Sequence, residues 1–213
     1  MSSRSTAAEL RTYAGTRLLR LHVLALGVVV GACGAAASPA RLAVLATSVA
    51  LAVALVWQFR LWDDLADIAH DRAQHPERIL VGTGALRSFW WALVLSALCL
   101  APALALARST LSVAVYAALA AGLALAYRFF DAYPGARLLR SHVVIVKYPV
   151  FVWLTAAQPD ALRAWTIGVG LYLALCVFEI FDDPGLRDSP KARRLAIAEG
   201  VALLGMLAYG AIR

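Results

Sequence analysis

Long runs of apolar residues fill most of the chain, and charged residues are gathered between them. A helix needs about 20 residues, within a range of about 17 to 25, to cross the hydrocarbon core of a bilayer. The runs are rich in Ala and Leu and show no alternation of apolar and polar residues, which favours helices over strands. Seven runs fit a membrane span, the fifth being shorter and weaker: 21–37, 42–59, 89–107, 111–127, 143–157, 165–181 and 195–212. We therefore predict an all-α, polytopic transmembrane bundle of about seven helices that forms a single domain over residues 1–213.

The composition supports lipid as the solvent, because 62% of the residues are hydrophobic and only 15% are charged. A water-soluble domain has a different balance. The first run ends in three alanines, Ala35 to Ala37, so a cleaved secretory signal is an alternative interpretation of it. Cys33, Cys99 and Cys176 lie in three different runs without CxxC spacing, which predicts neither a zinc site nor a redox pair.

Basic residues are distributed unequally between the two sets of loops that seven spans create. Because Lys and Arg accumulate in cytoplasmic loops, we expect the N-terminus and segments 1–20, 60–87, 128–142 and 179–194 to lie on the cytoplasmic side of a bacterial membrane. These segments, with Lys147, hold Arg4, Arg11, Arg17, Arg20, Arg60, Arg72, Arg78, Arg87, Arg128, Arg137, Arg140, Arg187, Lys191, Arg193 and Arg194. The other face has Arg41, Arg108, Arg163 and Arg213. If the weak span 143–157 were omitted, the cluster from Arg187 to Arg194 would lie on the side opposite the cytoplasm. The distribution of basic residues therefore supports this span.

The formal net charge of +7 raises the question of a nucleic-acid partner. The basic residues flank the apolar runs, however, and the chain contains no nucleic-acid-binding module. Membrane topology and attraction to anionic lipid headgroups account for them. We therefore expect a lipid environment and no nucleic acid.

The segment after the second span is strongly acidic. It contains four aspartates within nine residues: Asp63, Asp64, Asp67 and Asp71. At about 100° per residue, Asp64, Asp67 and Asp71 fall within a narrow arc of one helical face, flanked by Asp63 beside Asp67. Neighbouring carboxylates repel one another, and Mg²⁺ is a natural compensating ion that also takes phosphate oxygens as ligands. A merely solvated charged loop is the alternative interpretation.

A second acidic cluster and several basic residues share the predicted cytoplasmic face. Glu179, Asp182 and Asp183 would share a face if the sixth helix continued, although Pro184 is expected to end it and to bias Asp183 away from helical angles. Arg and Lys can neutralise phosphates that metal ions do not cover. The candidates are Arg72, Arg78, Arg128, Arg137, Arg140 and Lys147. Lys147 lies in an apolar run, where a charge is costly and indicates function, unless it snorkels to the interface.

These motifs resemble the UbiA superfamily of intramembrane prenyltransferases. Its first motif has the form NDxxDxxxD after the second helix, and here Asp63-Asp64-x-x-Asp67-x-x-x-Asp71 stands there. The stretch 75–80, followed by Gly82 and Gly84, looks like the turn that follows this motif, and 128–140 resembles the basic loop before the fifth helix. The second motif is represented by Glu179, Asp182, Asp183 and a displaced Asp188.

The resemblance implies a Mg²⁺-dependent enzyme that acts on an isoprenyl diphosphate. By that resemblance Asp64, Asp67, Asp71, Asp182 and Asp183 would bind magnesium at the catalytic centre, with Asp63 and Glu179 as supporting metal ligands. Diphosphate would be held by Arg72, Arg78, Arg137, Arg140 and Lys147. The isoprenyl tail could run past Trp57, Phe59, Trp62, Tyr127, Phe129, Tyr148, Phe151, Trp153 and Phe178, although packing and interface roles also explain each of them.

Three functions remain open from the sequence. The first is transfer of a prenyl group to an acceptor, which we favour. The second is a UbiA-like terpene cyclase, which uses the same metal chemistry but no acceptor. The third is a noncatalytic membrane subunit. His70 and His75 could act as bases, but structural roles fit them better, and Glu199 is expected to be a packing contact or an ion-pair partner. UbiA-like folds usually have nine helices, so with about seven this chain either has a more open cavity or closes it with a second copy of itself.

Overall fold

The computed structural model describes residues 5–38, 41–133, 135–157 and 160–212. The chain is 87% helical, and the described part contains no strand, which confirms the all-α class and leaves the rest of the fold prediction open. Arg4 and Arg213, two of the basic residues assigned above to sides of the membrane, lie outside the described residues. The helices are α1 (Thr6–Tyr13), α2 (Leu21–Ala36), α3 (Leu42–Ala66), α4 (Ile68–Gln74), α5 (Ile79–Gly82), α6 (Leu86–Ala107), α7 (Thr110–Ala132), α8 (Arg137–Ile145), α9 (Lys147–Thr155), α10 (Ala161–Asp182), α11 (Pro184–Arg187) and α12 (Pro190–Ile212). A short π-helical turn, Ala14–Leu18, follows α1.

Long apolar helices indicate a membrane protein. Within the described residues, five stretches are long and apolar enough to cross a bilayer: α3, α6, α7, the pair α8–α9 taken together, and α10. A sixth results if Thr6–Leu18 and Leu21–Ala36, which are bent by 65°, count as one span. The predicted count of seven is not confirmed. The helix α2 has only 16 residues, and α12 begins with several basic residues and contains Glu199.

The helices extend further into the acidic and basic segments than the apolar runs predicted. The run 42–59 ends at Phe59, but α3 continues to Ala66, and segment 60–87 also contains α4 and α5. Likewise, α7 continues to Ala132 and α8 begins at Arg137, so most of segment 128–142 is helical. Hydropathy identifies only the lipid-embedded part of a helix, whereas the backbone hydrogen bonds continue into the polar region beyond it.

Two breaks in the helices follow from proline. Pro149 has no backbone N–H to donate to the carbonyl at position 145, and the chain divides there into α8 and α9, with Val146 between them. At the end of α10, Asp183 precedes Pro184 and has the extended ψ of 111°. The predicted end of the sixth helix at Pro184 is therefore confirmed, and Asp183 does not continue the face that carries Glu179 and Asp182.

Close approach of backbones holds α2 against α3. Gly27 and Gly31 lie four residues apart on α2, in the GxxxG spacing by which membrane helices approach closely. A Cβ on Gly27 would lie 3.0 Å from the Cα of Val53, and one on Gly31 would overlap the backbone of Val49. The hydroxyl of Ser48, on the same face of α3, donates to the carbonyl of Thr155 at 2.7 Å and so links this pair to α9.

The buried core lies where α9 packs between α2, α3, α7 and α10. Its centre is aromatic and aliphatic: Leu55, Phe59, Phe151 and Leu154 have no exposed surface. Phe59 and Phe151 stack with ring centroids 5.0 Å apart. Seven of the nine aromatic residues considered for an isoprenyl path belong to this core or pack against it, whereas Phe129 and Phe178 are exposed.

Two sets of polar contacts lie at opposite ends of the bundle. One end, which we call the acidic end, contains Asp63, Asp64, Asp67, Asp71 and Asp183 with their cationic partners. At the other end, Arg108 donates to the carbonyl of Thr155 at 2.6 Å, and the N–H of Ala157 donates to Ser38 at 2.8 Å. Segments that the sequence assigned to one side of the membrane therefore meet at one end. Which leaflet that end faces stays a prediction.

We predict that Gly31→Ala destabilises the fold and that Gly122→Ala does not. The added methyl at position 31 meets the Val49 backbone, which cannot rotate away, so a loss of about 1 to 3 kcal/mol is expected. A Cβ at Gly122 in α7 meets nothing within 4 Å. The free energy of unfolding in detergent measures both variants. Equal stability of the two would contradict the close α2–α3 contact.

Candidate functional site

The four aspartates of the first acidic segment lie on nearly continuous helix. Asp63 and Asp64 belong to the last turn of α3, Asp67 stands between α3 and α4, and Asp71 is on α4. Backbone hydrogen bonds of 2.9 Å from Asp67 N to Asp63 O and 2.8 Å from Asp71 N to Asp67 O carry the helical pattern through the junction. The helical spacing predicted from the sequence is therefore present.

The prediction of one shared acidic face needs correction. Asp64 and Asp71 face the N-terminal segment and the loop before α5, whereas Asp63 and Asp67 face α7, α8 and α9. Asp63 and Asp64 point about 100° apart around the helix axis, so each carboxylate can contact a different set of neighbouring elements. Each set supplies its own cations, so the carboxylates are divided between two ion-pair clusters.

Asp64 is the most heavily bonded of the four. Only 5% of its surface is exposed. The guanidinium of Arg17 donates to both carboxylate oxygens, at 2.9 and 2.5 Å, and the hydroxyl of Tyr13 donates at 2.9 Å. Arg60, one turn earlier on α3, adds a contact of 3.5 Å. A bidentate arginine is among the strongest partners a buried carboxylate can have.

Tyr13 and Arg17 are not among the site residues predicted from the sequence. Both lie in the N-terminal helical segment, and their spacing of four residues places them on one face, directed at Asp64. The clue available in the sequence was a tyrosine and an arginine on one face just before the first apolar run. Nothing local to residues 5–20 indicates that this face meets α3.

Asp71 is paired with Arg78 and is only 2% exposed. The pair lies at a pocket of about 460 Å³ between the N-terminal segment and the turn before α5. The titratable residues of its lining are Tyr13, Arg17, Arg20, Asp64, Asp71, His75, Glu77 and Arg78. His75 is also within 3.5 Å of Glu77. By contrast His70 and Arg72 are exposed and do not line this pocket.

Asp63 and Asp67 bind cations from the other side. Lys147, at the first position of α9, donates to Asp63, as does the hydroxyl of Tyr127. Arg140 on α8 donates to Asp67. Lys147 is 2% exposed, so its charge does not snorkel to the surface but is neutralised inside the protein. The break between α8 and α9 is what allows it to reach α3.

The second acidic segment meets the first through α8. Arg137 forms a salt bridge with Asp183, with Nε 2.9 Å from Oδ2, and Arg140, one turn later, donates to Asp67. Asp183 also accepts from the N–H of Gly185 at 2.8 Å, as the N-cap of α11. Glu179 is half-buried and lies close enough to Arg60 and Lys147 to interact with their charges. Asp182 and Asp188 are exposed.

Carboxylate oxygens are the donors that Mg²⁺ prefers. Within the described residues, however, no three of the predicted carboxylates bring their oxygens within 4.8 Å of one another. Asp63, Asp64, Asp67, Asp71 and Asp183 are each paired with Lys or Arg. The donor chemistry fits magnesium, but the carboxylates can bind a metal ion only if their Lys and Arg partners pair with another anion instead. Diphosphate is such an anion, since Arg and Lys bind its oxygens well.

Comparison of the chain with protein-family models, with curated proteins and with solved structures finds no match. The resemblance to the UbiA superfamily therefore stays a prediction from its motifs.

We predict that Lys147→Met destabilises the protein more than Asp63→Asn/Lys147→Met. The single variant leaves Asp63 charged and without its main cation, which costs on the order of 3 kcal/mol for a mostly buried pair. The double variant removes both charges and is expected to recover most of that loss. Unfolding of each variant in a denaturing detergent series measures the difference.

Lys191→Met is the matched control for this pair, because Lys191 is exposed at the start of α12. It should unfold like the unmodified chain. If Lys147→Met and Lys191→Met were equally stable, the buried pair between Lys147 and Asp63 would be refuted.

Proposed function

We propose that this protein is a Mg²⁺-dependent intramembrane prenyltransferase that moves an isoprenyl group from its diphosphate to an acceptor. The observation that supports the proposal is the meeting of both acidic segments with Arg137, Arg140 and Lys147 at one end of the bundle. That end combines carboxylates for a divalent ion with cations for phosphate. In this proposal it faces the cytoplasm, and the topology is the seven-span arrangement predicted from the sequence.

Entry of a metal and a diphosphate together keeps the site electrically balanced. Arg78, Arg140 and Lys147 would turn from their aspartates to phosphate oxygens, and Asp71, Asp67 and Asp63 would thereby be freed for the ion. A bound magnesium ion would supply Lewis-acid stabilisation of the negative charge that develops on the departing diphosphate. Arg17 and Tyr13 would hold Asp64 in one position as a further ligand of the ion, since three donors orient that carboxylate.

The core beside the acidic end suits an apolar tail. Trp62 and Tyr127, whose ring centroids are 5.9 Å apart, connect the acidic end to Phe59 and Phe151. Aromatic faces stabilise a nearby cation by their quadrupole, which suits an allylic carbocation left after loss of diphosphate. The exposed hydrophobic side chains on α6, α7 and α10 would contact lipid or a second copy of the chain.

We predict that membranes containing the protein convert an isoprenyl diphosphate only with Mg²⁺ and that Asp64→Asn lowers the rate about 100-fold or more. Donors of several chain lengths are supplied, and lipid mass spectrometry identifies the product. Asp131→Asn is the control, because Asp131 is exposed near the end of α7 and makes no ion pair within the described residues.

Removal of divalent ions by a chelator gives a second measurement that does not depend on folding of Asp64→Asn. Activity should stop and return when Mg²⁺ is added back. Turnover that survives chelation, or that is equal in Asp64→Asn and Asp131→Asn, would refute the metal role of the acidic end. A product formed from the donor alone would assign the chain to the terpene cyclases instead.

A noncatalytic membrane subunit is the second candidate, and one observation favours it. Every aspartate of the first motif is already neutralised by a cation of the same chain, as expected if the ion pairs only hold helices together. In that case neither a product nor Mg²⁺-dependent binding of diphosphate would be found, while the ion pairs would still be needed for stability.

A further inference from the structure

A second polar cluster lies inside the bundle, away from the five aspartates of the acidic end. His142 on α8, Cys176 on α10 and Glu199 on α12 bring one ligand atom each within 4.8 Å of one another. Cys176 is completely buried, and Glu199 is 8% exposed. The ring of Tyr172 stands edge-on to His142, with centroids 6.4 Å apart. Three separate helices thus contribute a nitrogen, a sulfur and an oxygen to one small volume.

The hydrogen bonds of His142 fix which of its nitrogens is free. Its Nδ1 lies 2.8 Å from the carbonyl oxygen of Leu138. A carbonyl only accepts, so Nδ1 carries a proton and donates. In the neutral ring Nε2 then has a lone pair, and it faces Glu199 Oε1 at 2.9 Å. Two acceptors at that distance need a proton or a metal ion between them.

Glu199 has a further oxygen that this contact does not satisfy. Its Oε2 is buried and has no hydrogen-bond partner among the described residues. An uncompensated carboxylate oxygen inside a membrane protein is costly. A proton on His142 Nε2 would give Oε1 a hydrogen bond but leave Oε2 without a partner. A metal ion bound by the carboxylate, the imidazole and the thiolate would instead neutralise the charge of the whole carboxylate.

We propose that His142, Cys176 and Glu199 form a binding site for a divalent transition metal of the zinc type. A nitrogen, a thiolate and a carboxylate are the ligand types zinc takes, and three protein ligands leave a fourth position for water or another ligand. The Nδ1 bond to a backbone carbonyl is the usual way in which a metal-binding histidine is oriented. Cys176 binds as the thiolate and releases its proton to the solvent.

The geometry requires only small adjustment. Ligand atoms at about 2.0 to 2.3 Å from one zinc ion lie up to about 4 Å apart, and the three atoms here are within 4.8 Å. Shifts of about an ångström in side-chain position would complete the site. The metal would strengthen the link between α12, which packs on α10, and α8, which the contact of His142 with Glu199 already joins to α12.

Cobalt substitution of the purified full chain in detergent tests this site. With Co²⁺ we expect one equivalent to bind and to give a thiolate-to-cobalt charge-transfer band, which Zn²⁺ then displaces. The band should be lost in Cys176→Ser and kept in Cys99→Ser, because Cys99 is exposed on α6 and distant from the cluster. A band that persists in Cys176→Ser, or none in the unmodified protein, would overturn the proposal.

X-ray absorption at the zinc edge of the unmodified protein avoids any dependence on the folding of variants. One sulfur at about 2.3 Å and nitrogen or oxygen ligands at about 2.0 to 2.1 Å are expected. A shell of nitrogen and oxygen alone would show that Cys176 is not a ligand and would overturn the proposal. Neither measurement uses isoprenyl diphosphate, so its outcome is independent of the enzymatic activity.

Discussion

Neutralisation of buried carboxylates is the interaction on which the acidic end depends. Asp64, in the last turn of α3, and Asp71, on the short helix α4, are almost fully buried, so an uncompensated charge on either is costly. Each is matched by an arginine, and Asp63 is matched by the almost fully buried Lys147. The matching cations come from the N-terminal segment, the turn before α5, α8 and α9. Charge pairing therefore joins parts of the chain that lie up to 84 residues apart.

The same pairing sets the conditions under which this end could bind a ligand. A lone metal ion meets carboxylates that already have cations, and a lone diphosphate meets cations that already have carboxylates. Only the two together exchange partners without leaving an unpaired charge in a mostly buried site. Arg140 and Lys147 are central to this exchange because they carry α8 and α9 against α3. Arg140 lies on α8 and Lys147 at the start of α9, on either side of the break at Val146.

Patterns local in sequence predicted the helices well and the pairings poorly. Apolar runs located all the long helices, and Pro184 marked the end of α10. Helical spacing placed Asp63 and Asp67 beside each other, but it gave no indication that Asp64 would meet Arg17 of the N-terminal segment. The cluster of His142, Cys176 and Glu199 was not predicted for the same physical reason. Its residues come from three helices, and no spacing in the sequence indicates that they meet. Pairings made by tertiary packing leave little trace in a single sequence.

The proposed exchange of partners at the acidic end has a direct thermodynamic signature, since two ligands that depend on each other must strengthen each other's binding equally. Calorimetric titration of the protein in lipid nanodiscs with an isoprenyl diphosphate, with and without Mg²⁺, measures it. We predict at least about tenfold tighter binding when both are present, a coupling of about 1.4 kcal/mol, and little binding of Mg²⁺ alone. Equal affinity for the diphosphate with and without Mg²⁺ would contradict the account.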